Sequence, residues 1–288
     1  MKIPSLLLSL IVLAPGSASA ALIFSDNFNA PDSNNLDNSL QTGRRGGLLG
    51  DSVQVRSARI QSAISNNQLH LLRHATSGAG RVRFHDLDAN GAATATWHDF
   101  STGIAGQAIL NDGGFRVAFD WTTPDNTANN WISLAAGFPT AAVVAEPGTR
   151  LNHVETDFGI LFRSNGSHTT ELGGAQFFDN SVATTTAETF NAANLTRHVV
   201  IQFNLDSFAD GSTVLASAWV DGTQMLANQP FLLENNGGAF RMELGSYEIG
   251  GSRFDNLVIE TIPEPASAAC AAAGLALGLR RRRPRTAA

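Results

Sequence analysis

Large apolar residues recur at every second position in several short segments, with Gly, Asn, Asp and Pro between them. Phe115, Val117, Phe119 and Trp121 alternate with smaller or polar residues, and Val199, Ile201, Phe203 and Leu205 repeat the pattern. A period of two places such side chains on one face of a strand, so each segment predicts a strand with one buried face. The same reading predicts strands over residues 21–24 with 27–28, 68–73, 131–138, 158–163, 241–249 and 254–261. Residues 214–220, the pair Asp221-Gly222 and residues 223–226 read as a hairpin with a two-residue turn, and Asn165-Gly166 is a second turn signal. Residues 32–51 read as a Gly/Asn/Ser loop. Residues 137–153, with Pro139 and Pro147, form a long connection of a kind uncommon unless functional or mobile. No segment sustains a 3.6-residue period. Residues 183–195 are the one modest helix candidate, and no fixed-period repeat is present. Many short strands within about 240 residues predict an all-β domain of two packed antiparallel sheets.

The two ends break this pattern. Lys2, the apolar run of residues 6–13, Pro15-Gly16 and then Ala18-Ser19-Ala20 have the order of a secretory signal peptide with cleavage after Ala20. The run is too short for a bilayer crossing, which needs about 20 apolar residues. At the other end Pro263-Glu264-Pro265 precedes an apolar stretch of 14 residues, 266–279, and then Arg280, Arg281, Arg282, Arg283 and Arg285. An apolar segment followed by dense positive charge acts as a stop-transfer device, because arginines stay on the cytoplasmic side. The prolines fix φ and remove backbone donors, so the tripeptide is expected to be extended and accessible to an enzyme. The chain therefore divides into residues 1–20 (signal), 21–262 (β domain) and 263–288 (tail).

The tail resembles the PEP-CTERM sorting signal of exported bacterial proteins: tripeptide, apolar helix and arginine cluster occur in that order over 26 residues. The resemblance implies two processing partners, signal peptidase and a membrane-embedded, cysteine-dependent exosortase. It also implies export to the cell surface or extracellular space, transient anchoring in the inner membrane through the tail, and association with extracellular polysaccharide. The apolar stretch is alanine- and glycine-rich, with Cys270 inside it, and is short for a spanning helix. It suits a processing address better than a lasting anchor.

Composition then removes reaction classes. With Lys2, Glu264 and the five tail arginines set aside, the domain carries 13 basic and 24 acidic residues, a net charge near −11. No nucleic-acid partner is expected of it, since phosphate binding needs a basic face. Cys270 and Lys2 are the only cysteine and lysine, so the domain has no disulfide, no thiolate and no Schiff-base lysine. No Gly-x-Ser-x-Gly elbow is present.

Phe24-Ser25-Asp26-Asn27-Phe28, Trp219-Val220-Asp221-Gly222 and the closing Phe254–Ile259 segment resemble the concanavalin A-like lectin/glucanase jelly roll, laminin-G-like domains included. A galactose-binding-type jelly roll is the alternative sandwich. The glucanases of the first fold carry Glu-x-Asp-x-x-Glu. Glu155 and Asp157 match the first two positions, and on a strand they would share a face, as paired carboxylates for glycoside hydrolysis must. The third carboxylate is missing, with Ile160 and Leu161 in its place. Asp26 and Asp255, each beside an asparagine on strands expected to be neighbours, are candidate ligands of a structural calcium. Trp121 and Trp219 lie in alternating strands and read as core. Trp97 and Trp131 lie nearer loops and are the candidate sugar platforms. His85 and His98 flank an Asp/Trp stretch and read as surface residues, with a metal site there as the alternative. The leading expectation is a non-enzymatic, polysaccharide-associated or carbohydrate-binding protein. The competing one is a glycoside hydrolase or lyase using Glu155 and Asp157.

Overall fold

The computed structural model describes residues 19–29, 47–49, 52–57, 62–71, 80–89, 93–122, 131–138, 156–163, 175–179, 182–185, 195–234, 236–247 and 252–262. Residues 1–18 of the expected leader, Pro263-Glu264-Pro265 of the expected sorting motif, the apolar stretch 266–279, the tail arginines and Glu155 lie outside them. Residues Ala21–Ile262 form one compact unit.

Two eight-stranded antiparallel sheets build it. Sheet I contains β1 (Leu22–Asp26), β3 (Ser62–Ser65), β4 (Gln68–Leu71), β7 (Gly114–Thr122), β12 (Thr196–Asn204), β13 (Thr213–Val220), β14 (Thr223–Leu232) and β16 (Ser252–Thr261). Its order is β14-β13-β12-β7-β16-β4-β3, with β1 also paired to β16. Sheet II contains β2 (Val53–Ser57), β5 (Gly80–Leu87), β6 (Ala93–Trp97), β8 (Trp131–Ala136), β9 (Phe158–Arg163), β10 (Ala175–Asp179), β11 (Val182–Thr185) and β15 (Met242–Tyr247). Its order is β11-β10-β9-β8-β15-β5-β2, with β6 paired to β5. The all-β, two-sheet expectation holds.

The core is made by the alternation read from the chain. Phe115, Val117, Phe119 and Trp121 on β7 are buried, as are Val199, Ile201 and Phe203 on β12. Phe203 joins the layers. Its ring lies 4.9 Å from Phe158 of sheet II, 5.1 Å from Phe115 and 5.6 Å from Phe240. Burying one such side chain contributes roughly 1.5–3 kcal/mol. Asp221 and Gly222 close the β13–β14 hairpin with φ of 50° and 79°, the left-handed pair that a two-residue turn requires.

Two local expectations are corrected. The candidate helix over residues 183–195 begins as strand β11, paired with β10, because its threonines are β-branched and favour a pleated surface. The one α-helix among the described residues is α1 (Gly103–Asn111), which buries Ala105 and Ile109 four residues apart and leaves Ile104 exposed. Its apolar stripe is too narrow to announce itself by period. Among the described residues, no helix is long and apolar enough to cross a membrane.

Candidate functional site on the outer face of sheet II

Sheet II turns Val82 and Phe84 of β5, Ile132 and Leu134 of β8, Ile160 and Phe162 of β9, and Leu244 of β15 into the core. The alternate positions therefore face outward, and they are registered into rows. One row runs Phe178, Gly159, Ala135, Glu243, Arg83. The next runs Gln176, Leu161, Ser133, Gly245, Arg81. Trp131 and Arg163 stand side by side in the third. His85 and Trp97 face each other at the junction of β5 and β6.

The rows place small side chains between larger ones, and most of these positions are shielded from solvent. Their middle holds Ser133, Ala135, Gly159 and Gly245, all small, together with Leu161 and Glu243, which stand in the same rows. One side carries Arg81, Arg83 and Trp97, and the other carries Phe178, Gln176 and Arg163. The middle needs its glycines: a Cβ on Gly245 would lie 2.7 Å from the Ser133 hydroxyl. Glu243 accepts from Arg83 Nε at 2.7 Å and lies 3.4 Å from Arg81 Nε. The Arg83 guanidinium sits 3.8 Å above the Trp97 ring. Arg163 donates to Gln176 Oε1 at 3.2 Å. Each charged group is held in a defined orientation on a rigid sheet, and Arg83, Arg81, Arg163 and Glu243 are all largely shielded from solvent.

The structure places the sequence candidates differently from one another. Trp131 is half-buried on this face, packed against a cluster of Trp97, Ala135, Phe138, Leu161 and Phe178. Trp97 is only 3% exposed: Arg83 covers its ring face and Phe138 meets it edge-on at 5.2 Å. It braces the arginine and offers no free face to a sugar. Trp121 is core, as read, but Trp219 points out of sheet I and is half-buried, because Ala218 and Val220 take the inward positions beside it. His85 and His98, read as surface residues, are instead buried, and His98 pairs with Asp86 at 2.7 Å. Arg81, Arg83, Glu243, Gln176 and Arg163 were not singled out from the sequence. The available signal was the alternation Arg81-x-Arg83-x-His85 around two apolar residues.

The Asp26/Asp255 ion site is corrected. The first and last strands do pair, with Asp26 opposite Leu257. Asp26 shares the inward face of Phe24 and accepts from the Phe28 amide at 2.8 Å. Asp255 points outward opposite Asp120, where burial and the Asp120 charge raise its pKa. The two carboxylates lie on opposite faces of the sheet and cannot share a cation. Among the described residues, no group of three or more His, Cys, Asp or Glu could hold a metal.

The carboxylate pair on a strand is corrected as well. Asp157 precedes β9, which begins at Phe158, so the period-two argument does not reach it. Asp157 is 1% exposed. It accepts from Asn236 Nδ2 at 2.9 Å, its amide donates to Gly137 O at 3.4 Å, and it packs on Gly137. Burial pushes its pKa from 3.8 up to about 7, the Glu234 and Asp210 charges add to the rise, and hydrogen bonds from the Glu234 backbone and Asn236 oppose it. It is a buried carboxyl that ties the β14–β15 connection to the start of β9, with no surface for a glycosidic oxygen. Gly137 has φ of 78°, and an added Cβ would lie 2.5 Å from Asp157 Oδ2. Gly137→Ala is therefore expected to cost at least 2 kcal/mol, as strain and overpacking together (order of magnitude), read as a lowered urea midpoint with unchanged slope.

No family model matches the chain, and no curated protein matches it. Solved structures are similar to it at low identity. The carbohydrate recognition domain of Emp47p is 9% identical over 83% of this chain and 97% of its own, with TM-score 0.42. The exoplasmic/lumenal domain of VIP36 is 8% identical over 73% and 84%, with TM-score 0.42. A protein of unknown function with a galectin-like fold from Bacillus subtilis is 9% identical over 85% and 98%, with TM-score 0.48.

Proposed function

We propose that this chain is an exported, surface-sorted protein whose β domain binds carbohydrate across the outer face of sheet II. The observation that carries the reading is the registered rows, which bring guanidinium, amide, carboxylate and indole groups together around small side chains. Sugar hydroxyls both donate and accept. Arg81, Arg83, Arg163 and Gln176 supply donors, while Glu243 and Ser133 supply acceptors. Trp131 supplies the apolar surface against which a ring's C–H face packs. A rigid sheet holds these groups in place before the ligand arrives, which reduces the entropy lost on binding.

The experiment is a glycan panel with the full chain and Trp131→Ala. The wild type is expected to bind at least one extracellular-type polysaccharide. Trp131→Ala, once shown by circular dichroism to be folded, is expected to bind it about tenfold more weakly, the equivalent of about 1.4 kcal/mol. Unchanged affinity in that variant would move the ligand off this face.

The address comes from the two ends. Residues 1–20 direct export. The tail, with Pro263-Glu264-Pro265, holds the precursor in the inner membrane until an exosortase-type enzyme acts on it. Mass spectrometry of the surface protein is expected to find a chain starting at Ala21 and shortened near the tripeptide. Replacing all three tripeptide residues with alanine is expected to leave the full-length tail on a membrane-bound precursor.

A further inference from the structure

We infer that the saccharide is anionic, a carboxylate-bearing polysaccharide gripped by Arg83. The inference rests on the reading of this face as a carbohydrate site and names the ligand's chemical class. Arg83 is fixed from two sides, by Glu243 at its Nε and by the Trp97 ring beneath its plane. Its rotamer is thus set before any ligand binds. The same guanidinium has one edge left over: Nη2 is buried and has no hydrogen-bond partner. A shielded N–H without an acceptor is costly, and an ionised acceptor repays more of that cost than a neutral hydroxyl does.

The charge around it points the same way. Among the described residues of this face, Arg81 and Arg83 flank one carboxylate, Glu243, at 3.4 and 2.7 Å, and Arg163 stands farther out, beside Trp131 in another row. This happens in a domain whose 24 acidic residues outnumber its 13 basic ones. A planar guanidinium edge matches the two oxygens of a carboxylate, and the domain's negative net charge deters anions from other faces. Arg83 is 6% exposed, so little of its guanidinium meets solvent.

The test measures binding of the full chain to a polyuronate, to the same polymer after carboxyl reduction, and to a sulfated glycan, at low and high salt. The polyuronate is expected to bind about 10- to 100-fold more tightly than its carboxyl-reduced form, and the difference is expected to shrink at high salt. Arg83→Gln is expected to abolish the preference. Arg83→Gln leaves Glu243 paired with Arg81, and the conservative variant Arg83→Lys, which keeps the charge but loses the planar two-pronged edge, is measured beside it and is expected to fold and to show a weakened preference. Equal binding of the polyuronate and its reduced form overturns the inference while leaving the carbohydrate reading standing. So does binding of the sulfated glycan alone. Binding to none of the three polymers, nor to any member of the wider panel, overturns the carbohydrate reading itself.

Discussion

Glu243→Ala is expected to destabilise the fold by about 3–5 kcal/mol, the cost of removing one partner from a buried ion pair. Glu243 is 5% exposed in the middle of sheet II, with Arg83 Nε at 2.7 Å and Arg81 Nε at 3.4 Å. Its loss leaves two shielded guanidiniums without the carboxylate that lies between them. The shared geometry makes the effect larger than that of a surface pair, whose removal costs about 0–1 kcal/mol. By comparison, Arg116 and Glu260 pair on the more open outer face of sheet I, and Glu260→Ala is expected to stay within that small range. Urea unfolding of the two variants checks the contrast. A loss below about 1 kcal/mol for Glu243→Ala would mean that the pair is solvated and the face open to water.

Asp157 gives the second large effect, and it depends on pH. Burial raises its carboxyl from 3.8 to about 7, so the folded state holds the proton more tightly than the unfolded chain does. The stabilising contribution of this proton is complete below the unfolded value, near pH 4, and is lost as pH rises through about 7. Between those limits the group accounts for a fall on the order of 4 kcal/mol in stability. Asp179, which burial and the Glu234 charge also raise, adds to the fall in the same direction. Asp157→Asn keeps an acceptor for Asn236 and removes the titration. The variant is expected to equal the wild type below about pH 4 and to exceed it increasingly up to about pH 7. Parallel stability–pH curves would show that Asp157 is ionised and solvated in the fold.

The sheets were legible where alternation was clean. Residues 158–163 and the 214–226 hairpin appear as read, because one face of each is core and the turn residues are unambiguous. The strand that matters most for the site, β5, was passed over. Its outward positions carry Arg81, Arg83 and His85, and a strand whose charged residues are themselves shielded does not look like a polar-out, apolar-in segment until its neighbours are known. Glu243 lies 160 residues from Arg83 in the chain, and no spacing rule reaches that far.

The candidate residues failed where local facing decides. Asp26 and Asp255 were rightly brought to paired strands, but their side chains leave on opposite faces. The pairing of β16 with β7 shifts register between Asp255 and Val258, where Asn256 adopts φ of 50°, and such a bulge redirects side chains in a way sequence does not display. Trp97 and Trp131 were read alike from loop proximity, yet one props an arginine and the other remains partly open. Asp157 was read as a strand residue because the apolar run beside it begins one position later.

The most direct test of the central claim uses the tryptophans as reporters. Trp131 and Trp219 are both half-buried on outer faces, one on each sheet, while Trp97 and Trp121 are shielded. Oxidation with N-bromosuccinimide, mapped by mass spectrometry with and without a bound glycan from the panel, separates the two faces. The account predicts that the glycan protects Trp131 and leaves the oxidation of Trp219 unchanged. Protection of Trp219 with Trp131 still reactive would place the ligand on sheet I and contradict it.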